Sequence, residues 1–218
     1  RIREHEGLEI SHIREALEQA AKAEIAAIAV QPIYLIKGYE YGVLSDLVSS
    51  YGDRLGRAAL GKPLLSDEGD LDAVIKAVTG RTASYDDGKT AICLVGHGTE
   101  SDSNRIYVRL QEKMEKAGYG NYYIGTLKKE PGAEDVQRAL KKKGCYKRVV
   151  LEPLMAAAGG HVYHDMAGEE ADSWKSVMER DGYEVECILE GLGQIPAVCS
   201  IYVEHVREAI SSLQGICI

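Results

Sequence analysis

Gln31-Pro32-Ile33-Tyr34-Leu35-Ile36-Lys37-Gly38-Tyr39-Glu40 has a counterpart in Glu152-Pro153-Leu154-Met155-Ala156-Ala157-Ala158-Gly159-Gly160-His161. Laid over each other, Pro32 falls on Pro153, Gly38 on Gly159 and Glu40 on His161, at a constant offset of 121 residues. Each stretch follows a strand-like aliphatic run, Ile25 to Val30 and Val149 to Leu151. Each ends in a glycine-containing loop whose last side chain can bind a metal or move a proton. Two related halves would bring these loops face to face, gripping one ligand between a carboxylate and an imidazole.

The rest of the chain fits two α/β halves. Helical periodicity runs to about Lys22, with Ser11 as the expected cap, and returns around Val43, Leu44 and Leu47 and again around Leu71, Val74, Ile75 and Val78. Arg57 to Leu60 reads as a short strand. Ala91–Val95 opens the second half as a buried-strand run, followed by helices at 104–117 and 133–143 and strands at 122–125 and 148–151. The region 169–180 reads as helix, 184–189 as strand, and Pro196 suits the first turn of a last helix. Leu60-Gly61-x-Pro63 has an apparent echo in Leu192-Gly193-x-x-Pro196. Short strands alternating with helices imply parallel sheets joined by right-handed crossovers.

The polar segment Thr79 to Lys89 is the expected junction, giving domains 1–84 and 85–218, with the final helix packing back on the first domain. The second half begins with a strand and a helix that have no counterpart before residue 1. The first domain is therefore expected to lack one strand and one helix, about 40–60 residues by the usual size of such a unit.

Composition bounds the function. The 218 residues carry a net charge of −8, which argues against a nucleic-acid binder, since that needs a basic face. No apolar run approaches the ~20 residues that span a bilayer. Cys93, Cys145, Cys187, Cys199 and Cys217 form no paired metal-binding spacing and read as thiols of a reducing, cytoplasmic setting. The sequence leaves open whether the chain forms a homo-oligomer.

Three groups carry chemistry. His97 in Val95-Gly96-His97-Gly98-Thr99 sits just past a strand, where parallel α/β sheets bind ligands. His161 occupies the same kind of position, and Glu40 is its partner in the repeat. His164, three residues after His161, makes an H-x-x-H pair, but an exposed bystander is the better reading of it. Two imidazoles and a carboxylate suit Co2+, Ni2+, Fe2+ or Zn2+ better than Mg2+ or Ca2+. Neutral imidazole also accepts protons near pH 7. Together these suggest metal insertion into a ligand that must lose N–H protons.

At these residues the chain resembles the class II tetrapyrrole chelatases, and within them the anaerobic sirohydrochlorin cobaltochelatases of cobalamin synthesis. The resemblance runs through residues 31–41, 59–66, 95–100, 153–161, 165–175 and 191–197. It implies two similar α/β halves around a tetrapyrrole cleft, with Glu40, His97 and His161 as metal ligands and catalytic groups. It further implies sirohydrochlorin as the partner molecule and no cofactor beyond the substrate ion, Co2+, with Ni2+ or Fe2+ as alternatives. A non-catalytic metal or haem carrier is the competing class. In the implied reaction His97 takes the first pyrrole proton and Glu40 or His161 the second. Lys37, Arg105, Lys128 and Lys129 are the candidate partners of the ring's carboxylates. The chain departs from the family pattern at Tyr39, Gly160 and His164, where an acidic residue, aspartate and asparagine are usual.

Overall fold

The computed structural model describes residues 11–52 and 54–214. Its contacts divide it into two compact units. Among the described residues, the smaller takes in 11–32, Tyr39–Pro63 and 202–214; the larger comprises Ile33–Gly38 and Leu64–Ile201. The boundary expected at 84/85 falls in a 3-10 turn, Ala83–Tyr85, within the larger unit.

In the smaller unit, helix α1 (Ile13–Lys22) is followed by strand β1 (Ile28–Val30), helix α2 (Tyr39–Ser50) and strand β2 (Ala58–Leu60). The two strands pair in parallel, Ile28 opposite Ala58 and Val30 opposite Leu60. Leu17, Tyr51 and Leu55 form the buried centre, with Ile28, Val30 and Leu47 packed around it. The cap of α1 is His12 rather than Ser11, its N–H bonded to the Glu15 carboxylate at 3.0 Å. Strand β1 begins three residues later than expected. Glu24 turns the chain with φ 54°, and the Ile25 N–H is spent on the Ala20 carbonyl at 3.1 Å. This is a Schellman ending, so Ile25 closes α1 and is not free to pair in a sheet.

The larger unit is built on a four-stranded parallel sheet. Helix α3 (Glu68–Arg81) leads into β3 (Thr90–Gly96), then α4 (Arg105–Lys116), β4 (Tyr122–Thr126), α5 (Ala133–Lys143), β5 (Arg148–Pro153), α6 (Trp174–Arg180) and β6 (Glu184–Cys187). The strand order is β4-β3-β5-β6. All seven residues of β3 are buried, as a central strand covered on both faces requires. Ala91, Cys93, Val95, Val149 and Leu151 pack with Val136, Leu140, Trp174 and Met178 in one core. Alternation along the strand turns Ile92 and Leu94 to the opposite face. The outer edge of β4 is closed by one side chain: Gln111 donates to the Tyr122 carbonyl at 3.1 Å and accepts from the Ile124 N–H at 2.7 Å. A bare strand edge would invite pairing with another chain, and this glutamine removes that option locally.

The helix expected over 169–180 starts only at Trp174, because Ser173 caps it by accepting from the Ser176 N–H at 3.1 Å. The last helix, α7 (Pro196–Gln214), opens on its proline as expected and runs from the larger unit into the smaller.

The two quoted stretches make the same pair of backbone bonds. The carbonyls of Tyr34 and Leu35 accept from Leu64 and Leu65 at 2.9 and 2.8 Å. The carbonyls of Met155 and Ala156 accept from Leu192 and Gly193 at 2.8 and 2.9 Å. The counterparts of Leu192-Gly193 are therefore Leu64-Leu65, four residues beyond the echo read at Leu60-Gly61. Backbone contact decides the correspondence, and a Leu-Gly pair is too common to do so.

Candidate active site

The strand order sets the location. The chain leaves β3 for the edge strand β4 and returns on the other side of β3 to form β5. The carboxyl ends of β3 and β5 thus flank the switch point, where open α/β sheets leave a crevice. His97 follows β3 directly, and His161 follows β5 by a short loop. Their ring centroids are 4.7 Å apart, with the planes inclined at 62°. Two histidines separated by 64 residues of sequence are brought into contact by the topology alone.

The glycines around His97 are used. A Cβ on Gly96 would stand 2.3 Å from the Tyr107 ring. Gly98 has φ +81°, and a Cβ there would lie 2.7 Å from Thr126 Oγ1. The buried Tyr107 hydroxyl accepts from the Gly98 N–H at 3.4 Å, and burial holds its pKa above the usual phenol range. The segment after β4 is tied alongside, Leu127 N–H to the Gly96 carbonyl at 2.9 Å and Lys128 N–H to the His97 carbonyl at 3.1 Å. His97 is thereby fixed on three sides, with its imidazole exposed.

His161 enters a turn of π-helix, Val162–Met166, in which the Ala167 N–H reaches back to the Val162 carbonyl at 3.0 Å. Its Nδ1 lies 2.6 Å from Asp165 Oδ2, and Lys128 Nζ is 3.7 Å from the same oxygen. The hydrogen bond from His161, aided by Lys128, holds the Asp165 carboxyl below the usual carboxylate range. His97 Nδ1 is 3.1 Å from the Gly98 carbonyl. A carbonyl only accepts, so His97 Nδ1 carries the proton there. Nε2 of each ring has no hydrogen-bond partner among the described residues.

Glu40, exposed in the first turn of α2, belongs to the smaller unit. Among the described residues no group of three or more His, Cys, Asp or Glu side chains is gathered closely enough to hold a metal ion. The two imidazoles form a half-site able to offer two nitrogen donors. His164 is not part of the ring contact. It lines a groove of about 1130 Å3 in the larger unit, together with Arg105, Lys128, Lys129 and Asp165. Lys37 is not among the residues lining that groove. Two of its cations are already engaged, Lys129 with Glu100 at 2.5 Å and Lys128 with Asp165. Residues 95–100 drew attention to His97, but nothing in the sequence singled out Tyr107. Asp165 had a visible signal, its spacing of four from His161, within a motif read only as a family signature.

A family model described as Cobalt chelatase (CbiK) matches residues 1–211. The chain belongs to the cobalt chelatase (CbiK) family. It is thus an enzyme of the chelatase class. The sirohydrochlorin cobaltochelatase of Salmonella typhimurium is 28% identical over 211 residues, 97% of this chain and 79% of that one. The sirohydrochlorin cobaltochelatase CbiKC of Nitratidesulfovibrio vulgaris is 28% identical over 203 residues, 92% of this chain and 71% of that one. Among solved structures, SirB from Bacillus subtilis with Fe3+ superposes with a TM-score of 0.65 at 19% identity, covering 95% of this chain and 81% of that one. That likeness establishes a chelatase-like α/β fold for this CbiK-family chain. No helix among the described residues is long and apolar enough to cross a membrane.

Proposed function

We propose that the chain inserts Co2+ into sirohydrochlorin, with His97, His161 and Glu40 holding the incoming ion. The observation that carries this reading is the contact of His97 and His161 at the switch point, each with Nε2 uncommitted. Neutral imidazole nitrogens suit divalent cobalt, and two of them leave coordination positions open for transfer to the ring. Glu40 supplies the third donor, supported by its place in the repeat opposite His161. A tetrapyrrole cleft between two duplicated halves belongs to the same reading. Its support is the shared backbone pattern of residues 34–35 and 155–156. A cytoplasmic setting is supported by Cys93, Cys145, Cys187 and Cys199, which are unpaired thiols.

The reaction balances simply. Four ring nitrogens bind the dication while two pyrrole N–H bonds break and two protons leave. Once the ion has passed from His97 to the ring nitrogens, the freed Nε2 lone pair accepts the first proton, and Glu40 or His161 the second; positioned acid–base groups of this kind contribute about 10²–10⁴-fold. Fe2+ insertion is the second reading, favoured by the ferric ion named in the Bacillus structure. Purified protein is mixed with sirohydrochlorin and Co2+, Ni2+ or Fe2+ in turn, and the ring's absorption is followed. Turnover fastest with Co2+ bears the proposal out. Metal binding without catalysed insertion would instead make the chain a carrier.

A further inference from the structure

We propose that Asp165 is a positioning residue for His161: its carboxylate takes the Nδ1 proton and so presents the Nε2 lone pair to the incoming metal. The inference rests on the reading of His161 as a ligand. Neutral imidazole carries one proton, on either nitrogen, and only the bare nitrogen can donate to a metal. An ionised carboxylate only accepts, so the 2.6 Å contact between Nδ1 and Asp165 Oδ2 requires the proton on Nδ1. The same bond fixes the ring's rotation, because turning it over would place a carbon against the carboxylate. Metal-ligating histidines commonly have such a partner.

The local backbone is built for this contact. The π-type turn of 162–166 sets Asp165 beneath His161, and such turns recur at functional sites. Gly168 permits it, since a Cβ there would stand 2.3 Å from the His164 carbonyl oxygen. Lys128 links the two histidines. Its N–H holds the His97 carbonyl, while its ammonium lies 3.7 Å from Asp165 Oδ2. Both members of this ion pair are partly exposed, so the lysine orients the carboxylate more than it stabilises the fold. His161 and Lys128 are thus the two partners of the Asp165 carboxylate.

The test is made first without metal. Nitrogen-15 NMR of the histidine rings, at a pH where they are neutral, should report the Nδ1–H form of His161 in the parent protein. Asp165→Ala should return His161 to a mixture of tautomers, and Asp165→Asn stands in for it where the alanine variant does not fold. Titration with Co2+ alone should then show about 10–100-fold weaker binding for both variants. Asp165→Glu should recover part of the affinity, which a purely structural role would not predict. Lys128→Gln should have a smaller effect. An unchanged tautomer in the Asp165→Ala protein overturns the proposal, as does unchanged Co2+ affinity when the tautomer has moved. If His161→Ala itself leaves Co2+ binding intact, the ligand reading fails separately, and the metal-free spectra still decide the hydrogen bond.

Discussion

Arg81, in the last turn of α3, donates from Nε to Oε1 of Glu152 at 2.8 Å, and the carboxylate it meets is wholly buried. Glu152 stands near the end of β5, just before the loop that carries His161. Arg81 also donates to the Gly191 carbonyl at 3.3 Å. Gly191 is in turn pressed against Ala156, where a Cβ would come within 2.5 Å of the carbonyl oxygen. One arginine therefore fastens the root of the His161 loop to helix α3. Glu152 Oε2 has no partner among the described residues, so the pair is incompletely satisfied there. Burial raises the Glu152 pKa and Arg81 opposes the rise.

Removing Arg81 should therefore cost more than removing both members. Arg81→Ala leaves a buried carboxylate alone, a change typically worth about 3–5 kcal/mol. Replacing the pair with apolar residues of similar volume should cost much less. The sign of the pH dependence follows from the raised pKa of Glu152. Its ionised form is the one that folding disfavours, so protonation relieves the variant. The deficit of Arg81→Ala should be larger at pH 8 than at pH 5, read as the difference in denaturant midpoints. An equal deficit at both pH values would show that Glu152 is not the charge responsible.

The turn at His97 offers a backbone test. Gly98→Ala meets a positive φ and a clash with Thr126 at once, whereas Gly96→Ala meets only the Tyr107 ring. Both should lower stability, by an amount within the usual 0.5–3 kcal/mol of single substitutions. Adding Tyr107→Leu should partly restore the stability of Gly96→Ala, by vacating the space, and should do nothing for Gly98→Ala. Thermal unfolding of the four proteins checks this.

Strand and helix order was readable from the sequence because aliphatic runs and helical stripes alternate at ordinary spacing. The helix at 133–143 matches residue for residue, since Gly132 and Gly144 bracket it. Boundaries failed where a side chain or backbone turn intervened: at Ile25, consumed by the Schellman ending, and at 169–173, ahead of the Ser173 cap. His97 and His161 were legible because each follows a strand and a glycine. Their meeting was expected from that common placement, but the strand order that brings it about, β5 beside β3 and not beside β4, was not legible. Tyr107 could not have been found from pattern, for a buried tyrosine at a helical position looks like any other core residue.

The smaller unit has its own pH dependence. Glu18 accepts from both nitrogens of the Arg54 guanidinium at 2.8 and 2.9 Å and from the Tyr51 hydroxyl at 2.6 Å. These bonds, that from Arg54 first, pull the Glu18 pKa from 4.5 down to about 2. A depressed folded-state pKa stabilises above the unfolded value, and that contribution is lost as pH falls toward about 2. Glu18→Gln should be less stable than the parent at neutral pH, with the gap closing between about pH 4.5 and pH 2. Acid titrations followed by circular dichroism would show it. A gap that persists unchanged below pH 2 would contradict the assignment. Exposure of the pair keeps the expected effect small.

The last prediction separates the two neighbouring histidines. His161 touches His97, is held by Asp165 and keeps Nε2 open, whereas His164 faces the groove and makes no ring contact with either. His161→Ala should therefore cost far more insertion activity than His164→Ala. Losing His161 removes a metal donor and a proton acceptor together, and acid–base catalysis alone is worth about 10²–10⁴-fold. Losing His164 removes a side chain at the groove wall, and its effect should stay at or below the 10–100-fold seen for outer groups of metal sites. Matching thermal unfolding without metal would first establish that both variants fold. Steady-state Co2+ insertion into sirohydrochlorin then decides between them. Parental activity in His161→Ala beside a dead His164→Ala would move the chemistry off the β3–β5 switch point and into the groove lined by Lys128, Lys129 and Arg105.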